Sequence, residues 1–332
     1  MAVNISRFHE VFRYQSRAPV PDLLEDMEVL AHLDARAEGQ RRALAWSGGC
    51  TVISGGGMAV LTYISWVGTM ERHELTEAGA QLLQVTGGVG GALLVVGLLL
   101  FLWRYALKPR DLDNRRYGLA QVLLQRLEMD LAPDAPVRLK LDLRPPDVLD
   151  KRVNQDMVGW WNTDFFVDPW FTLETRLADG AFVRIRMVER LQKRERSKTS
   201  ASGKTKTKTK RKGFARLEVS VRVKPERYPG LERLKVRATA ATRLPRKVEL
   251  ERVRVAAGRL SLRARLSDEW VARPGEPGEP GEPEAPAFWK RALEKDDASR
   301  TATMMLLSIY QVLGYTRRRA KLQAARGRRE SV

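Results

Sequence analysis

The stretch FTLETRLADGAFVRIRM, running from Phe171 to Met187, decides how this chain is read. Phe171, Leu173 and Leu177 alternate with Thr172, Glu174 and Arg176. After Ala178-Asp179-Gly180, Val183, Ile185 and Met187 alternate with Arg184 and Arg186. A period of two puts apolar residues on one face and polar ones on the other, and an Asp-Gly turn between two such runs predicts an antiparallel hairpin.

Outward from this hairpin the same period recurs. Val137, Leu139, Leu141 and Leu143 alternate with Arg138, Lys140, Asp142 and Arg144, and further runs cover 215–223, 234–240, 247–256 and 259–266. Seven such runs, with no helical crossovers between them, predict an antiparallel sandwich or barrel over 134–273. Its polar face is basic, presenting Arg138, Lys140, Arg144, Arg184, Arg186, Arg216, Arg222, Lys235, Arg237, Arg259, Arg263 and Arg265.

Between the third and fourth runs lies the window 193–212. It carries Lys193, Arg194, Arg196, Lys198, Lys204, Lys206, Lys208, Lys210, Arg211 and Lys212 against Glu195 alone. The chain holds 43 Arg and 16 Lys, yet seven of the Lys fall here, so a general preference for arginine does not account for the window. With Ser197, Thr199, Ser200, Ser202 and Gly203 interspersed, it reads as a Lys-rich loop or hairpin tip held extended by its own repulsion. These ten residues, with Arg184 and Arg186, are the anion-binding candidates. Their chemistry suits an anionic lipid surface, a nucleic acid or ribosome, or an acidic protein; the plainer alternative is a solvated loop. Ser202-Gly203-Lys204-Thr205 lacks the preceding glycine that a phosphate-binding loop requires.

Upstream, Ala43 to Val67 and Leu82 to Leu102 are free of formal charge over 25 and 21 residues. As helices they would reach ~37 and ~31 Å, enough for a hydrocarbon core of ~30 Å. Transmembrane helices over 43–67 and 82–107, joined by a short external loop at 68–81, are therefore expected. Trp46, Trp66, Trp103 and Tyr105 stand near their ends as membrane-interface anchors. Arg41 and Arg42 precede the pair and Arg104, Lys108, Arg110, Arg115 and Arg116 follow it, whereas only Arg72 lies between. That bias predicts a multi-pass protein of the cytoplasmic membrane with both termini and the β domain cytosolic. Glycines at 48, 49, 55, 56, 57, 87, 88, 90, 91 and 97 suit close helix packing or homo-oligomerisation. An oligomeric channel or pore-forming effector is the alternative, disfavoured because neither span holds an ionisable residue at depth.

The remaining segments fill out an α+β membrane protein. Residues 1–42 read as a cytosolic amphipathic helical region, with Pro21 in a first turn and Leu23, Leu24, Met27, Leu30 and Ala31 at helical spacing. Residues 109–132 read as a juxtamembrane helix capped by Asp111 or Asp113, 274–286 as a Gly-Glu-Pro linker, and 287–332 as a C-terminal helix with a basic tail. The apolar run Thr301 to Tyr315 is expected to pack against the hairpin or lie in the membrane interface.

The formal charge is +19, from 59 Lys+Arg and 40 Asp+Glu. Fifty of those bases and 30 of those acids follow Lys108, so the excess belongs to the part beyond the apolar segments. His9, His32, His73 and the lone Cys50 make no zinc set and no disulfide framework. The β region has no histidine to serve as general base, and no Gly-x-Ser-x-Gly occurs. Trp160, Trp161, Phe165, Phe166, Trp170 and Phe171 could stack bases, meet lipid headgroups or fill a core. Asp142, Asp147, Asp150, Asp156, Asp164 and Asp168 could gather a metal for hydrolysis, although dispersed acids are more often solvated or capping. The expectation is a membrane-anchored binding or scaffold protein, with no enzymatic activity, metal or cofactor, that engages an acidic partner through its basic β domain.

Overall fold

The computed structural model describes residue 8 and residues 11–72, 77–107, 112–200, 202–273 and 295–330. The elements are β1 (Arg13–Ala18), α1 (Val20–Arg72), α2 (Glu77–Ala106), α3 (Asn114–Glu128), β2 (Val137–Asp142), β3 (Arg152–Val158), β4 (Trp161–Arg176), β5 (Phe182–Thr199), β6 (Thr205–Arg222), α4 (Lys235–Ala241), β7 (Glu249–Ala256), β8 (Arg259–Ser267) and α5 (Ala298–Glu330). They form two compact units, Leu30–Leu112 and the remainder, Met1–Val29 with Asp113–Val332.

The larger unit is built on one antiparallel eight-stranded sheet in the order β1-β2-β4-β5-β6-β8-β7, with β3 added against β4. The sheet is open, so the expected sandwich or barrel is corrected. Helices, rather than a second sheet, cover its apolar face. Along α5, Ala298, Ala302, Met305, Ile309, Val312, Leu313 and Thr316 recur at helical spacing and are buried, and the helix lies on β6 and β8 and beside α3 and α4. The buried face of the run Thr301 to Tyr315 thus packs on the sheet, where the sequence predicts packing against the hairpin or in a membrane interface. The linker at 274–286 and the start of the C-terminal segment at 287–294 lie outside the described residues.

Six of the seven alternating runs are strands. The seventh, 234–240, is instead α4, whose sequence KVRATAA carries three alanines, the best helix formers, and buries only Ala238. Lys235 and Arg237 therefore leave the sheet's basic face, and Arg237 donates to the hydroxyl of Tyr315. Two strands escape the pattern. Within the region expected to be helical, β1 precedes α1 and pairs with β2. In β3 every residue of RVNQDMV is exposed, so it shows no alternation.

In β4 the register shifts between Asp168 and Phe171, where three steps on β4 face two on β5. This bulge holds Pro169, which has no N–H to give a ladder, and turns the consecutive residues Trp170 and Phe171 both inward. Trp170 stacks on Trp270 at a ring separation of 5.6 Å.

Beneath the bulge lies a buried ionic network. Asp113 caps α3 by accepting from the Arg115 N–H. One residue on, the Arg116 side chain is 1% exposed and reaches three strands. Its guanidinium donates to the carbonyls of Asp142 (2.7 Å) and Arg144 (3.1 Å), to Asp168 Oδ2 (2.8 Å) and to Glu189 Oε2 (2.6 Å). Arg116 is thus a core residue rather than part of a membrane flank. Lys151 contacts Asp168 at 2.9 Å and Asp142 at 3.3 Å, and Trp270 Nε1 donates to Glu189 Oε1 at 3.0 Å. Removing one partner from such a buried set leaves an uncompensated charge, a loss of about 3–5 kcal/mol. Asp168→Ala should therefore lower the stability of the detergent-solubilised chain by about that amount in urea unfolding followed by tryptophan fluorescence. Combining it with Arg116→Met and Glu189→Gln, which removes the charges Arg116 joins while Lys151 keeps Asp142, should recover much of the loss.

In the smaller unit the part of α1 beyond Leu30 packs antiparallel against α2. Their seam repeats at seven residues. Gly48 faces Leu100 and Phe101, Gly55 faces Gly90 and Leu93, and Thr62 faces Gly87 and donates to Thr86 Oγ1 at 3.1 Å. A Cβ added at Gly55 would stand 2.8 Å from the Gly90 carbonyl oxygen, so only glycine permits this backbone approach. Both helices are long and apolar enough to cross a membrane. The outward residues include Ile53, Leu61, Ile64, Val85, Leu98 and Leu99. Gly55→Leu should widen the interhelical distance near position 90, read by spin labels on the two helices; an unchanged distance would refute the close seam.

Candidate anion-binding surface

β5 and β6 run on together as a two-stranded ribbon. Their register is unbroken from Phe182↔Arg222 to Thr199↔Thr205, and the turn closes over 200–204 with Gly203 at a φ of 74°. The expected Lys-rich loop at 193–212 is thereby corrected to strand, with only its tip a turn. The reason lies in Lys204-Thr205-Lys206-Thr207-Lys208-Thr209-Lys210, which alternates and places the β-favouring threonine at every second position.

That alternation sorts the charge. Directly paired across the ribbon are Arg194↔Lys210, Arg196↔Lys208 and Lys198↔Lys206, with Gln192↔Lys212 below them, all on one face. The opposite face carries Glu195↔Thr209, Ser197↔Thr207 and Thr199↔Thr205, the last two joined by hydroxyl hydrogen bonds of 3.0 and 3.1 Å. Lys193↔Arg211 is also on this second face, and both cations meet Asp147. Like charges directly opposite each other repel and destabilise a strand pair. Among the described residues, no acid lies within ion-pair distance of Arg196, Lys198, Lys206, Lys208 or Lys210. The cationic face carries four residue pairs and is about 20 Å long from Gln192 to Lys198.

The same face continues onto the solvent side of the sheet. There most of the expected outward arginines have acidic neighbours: Arg184 meets Glu174 at 2.6 Å, Arg216 meets Glu251 at 2.8 Å, and Arg263 meets Glu218 at 2.7 Å. Arg186 is exposed on this side. Arg186, Arg222 and Arg265 on the sheet have no acidic partner within ion-pair distance among the described residues either; the ribbon differs in carrying three consecutive cation pairs on one face.

The β3–β4 hairpin flanks the ribbon. Gly159, at a φ of 61°, opens its two-residue turn, leaving Trp160 at the tip with 78% of its surface exposed. Lys210 Nζ sits 5.2 Å from the ring centre of Trp161. Phe166, Trp170 and Phe171 are core. The aromatic run thus divides between an interior anchor and an exposed tip, a division set by the bulge.

Five of the six aspartates meet cations, and the sixth, Asp156, accepts from the Met157 N–H at 2.7 Å. Burial pushes the Asp142 carboxyl up, but hydrogen bonds from Arg144 and the charge of Lys151 outweigh it and hold it at about 2. Burial likewise pushes the Asp168 carboxyl up, against the pull of Arg116 and Lys151. Asp150 pairs with Arg144 at 2.7 Å and Asp164 with Arg152 at 3.5 Å. Among the described residues, no group of three or more His, Cys, Asp or Glu is placed to hold a metal.

Trp46, Trp66, Trp103 and Tyr105 are exposed on α1 and α2. Because Gly48 packs against Leu100 and Phe101, Trp46 lies at the same end of the hairpin as Trp103 and Tyr105. Trp66 is twenty residues further along α1, a rise of ~30 Å. No family model matches the chain, nor does any curated protein or solved structure.

If the charge ladder is strained by repulsion, Lys206→Gln, Lys208→Gln and Lys210→Gln together should stabilise the ribbon. The expected gain is about 0.2–1 kcal/mol per relieved pair at low salt. It should vanish at high salt, where exposed charges are screened. Thermal unfolding at both ionic strengths checks this.

Proposed function

We propose that the chain is a membrane-anchored binding protein whose basic β domain engages an acidic partner through the β5–β6 ribbon. The observation that carries this reading is the ladder Arg194↔Lys210, Arg196↔Lys208 and Lys198↔Lys206, set on one face with neutral hydroxyl pairs behind it. A solvated solubility segment gains nothing from such sorting. A binding surface does, because repulsion within the free ribbon is relieved when a polyanion neutralises it.

In this reading the two apolar helices span the cytoplasmic membrane and hold the β domain on its cytosolic side, where the basic flanks of the spans favour retention. The aromatic residues at both ends of the hairpin support that placement. Gly49 and Gly56, also seven residues apart, have no neighbour within contact distance and suit self-association of the hairpin.

The full chain in discs of neutral lipid, titrated with a fluorescent single-stranded RNA and separately with anionic vesicles, tests the proposal. At least one should bind with steep salt dependence. For RNA, replacing Lys206, Lys208 and Lys210 by Gln should reduce the log–log salt slope by about 2. Salt-independent binding, or binding indifferent to the substitutions, would refute the proposal.

A further inference from the structure

We infer that the acidic partner of the ribbon is the headgroup layer of an anionic lipid bilayer, into which the β3–β4 tip seats Trp160 beside the ribbon's cations. The inference rests on the polyanion reading above and deepens it. Exposed apolar surface next to concentrated positive charge is its first ground. Trp160 stands at the turn, and Val158, Met157 and Val153 on the same hairpin are exposed as well, Met157 at 63% and Val153 at 62%. Val158 pairs with Trp161, and Thr163 with Arg194, so Val158, Trp161 and the cation ladder share one face. Tryptophan is the residue whose apolar ring and polar N–H suit the headgroup level.

Discrimination against a nucleic acid comes from where the aromatics lie. Single-stranded binding relies on flat rings presented along the strand face on which successive bases stack. Here the strand-face ring, Trp161, is already covered by Lys210, and the free ring projects from a turn. A tip with one large amphipathic side chain and aliphatic neighbours is a wedge, not a stacking platform. The ladder of cations beside it complements a surface of negative charge. The same chain also carries two helices long and apolar enough to cross a membrane, which gives a bilayer a high effective concentration at the ribbon.

A single probe at the tip tests this in the full chain. Cys50 is the lone cysteine, so Cys50→Ser with Trp160→Cys accepts one environment-sensitive fluorophore. Reconstituted into discs of phosphatidylcholine with phosphatidylserine, the probe should emit at shorter wavelength and be quenched by brominated acyl chains. In discs of phosphatidylcholine alone it should report water. Replacing Lys206, Lys208 and Lys210 by Gln should return the probe to water, a shift of roughly 100-fold in its seated-to-free ratio at about fivefold per cation. The Arg versions should retain seating, which separates charge from folding. A probe equally wet in both lipids, in a chain that still binds RNA with steep salt dependence, would overturn the lipid assignment and leave the polyanion reading intact. A wet probe with no RNA binding would overturn both.

Discussion

Arg116 holds the larger unit together. Its guanidinium joins the first turn of α3 to β2, β4 and β5 at once, and it bridges Asp168 and Glu189, which face each other across β4 and β5. A buried ion pair of this kind contributes little net stability over apolar packing, since desolvation offsets most of its attraction. Its effect is on register. With Asp168 and Glu189 both required to face Arg116, β4 and β5 cannot slip by one residue without burying an unpaired charge.

The consequence extends to the far end of the ribbon. Side chains alternate, so the inward direction of Glu189 dictates that Arg194, Arg196 and Lys198 face the other way. Their partners Lys210, Lys208 and Lys206 follow through the unbroken β5–β6 pairing. The ribbon has no core of its own at that distance, and the helices do not cover it. It is held by backbone ladder bonds and threonine hydroxyl pairs, and loaded with charge that opposes the pairing. In the proposed reading, a bound counter-charge offsets that cost.

The smaller unit solves a different problem with the same economy of contacts. Gly48, Gly55 and Thr62 recur every seven residues, so one face of α1 stays turned toward α2 along the whole seam. Close backbone approach and the Thr62–Thr86 hydrogen bond mark the contact between the two apolar helices. The exposed aliphatic surface around that seam is consistent with a hydrocarbon surrounding.

The sequence by itself determined the elements with strong local signals. Period-two alternation located β2, the second half of β4, the first part of β5, the last part of β6, β7 and β8; uninterrupted apolar stretches located the two long helices; and the start of α3 was narrowed to a cap at Asp111 or Asp113, of which Asp113 is the one. It also determined that the positive excess lies beyond the hairpin and is richest at 193–212. Only the tertiary structure decided that the sheet is open, because a period of two states that one face is buried without saying what buries it, and here α5 does. Only the tertiary structure moved Arg116 from a surface flank to the core, since its partners lie 52 and 73 residues away and leave no local trace. The pairing of β1 with β2 is long-range in the same sense, whereas β3 pairs locally with β4 but carries no alternation to announce a strand. The cationic face lay between these extremes: the Lys-Thr alternation was in the sequence, but that it forms a ribbon, with every second residue on one side, follows from the pairing with β5.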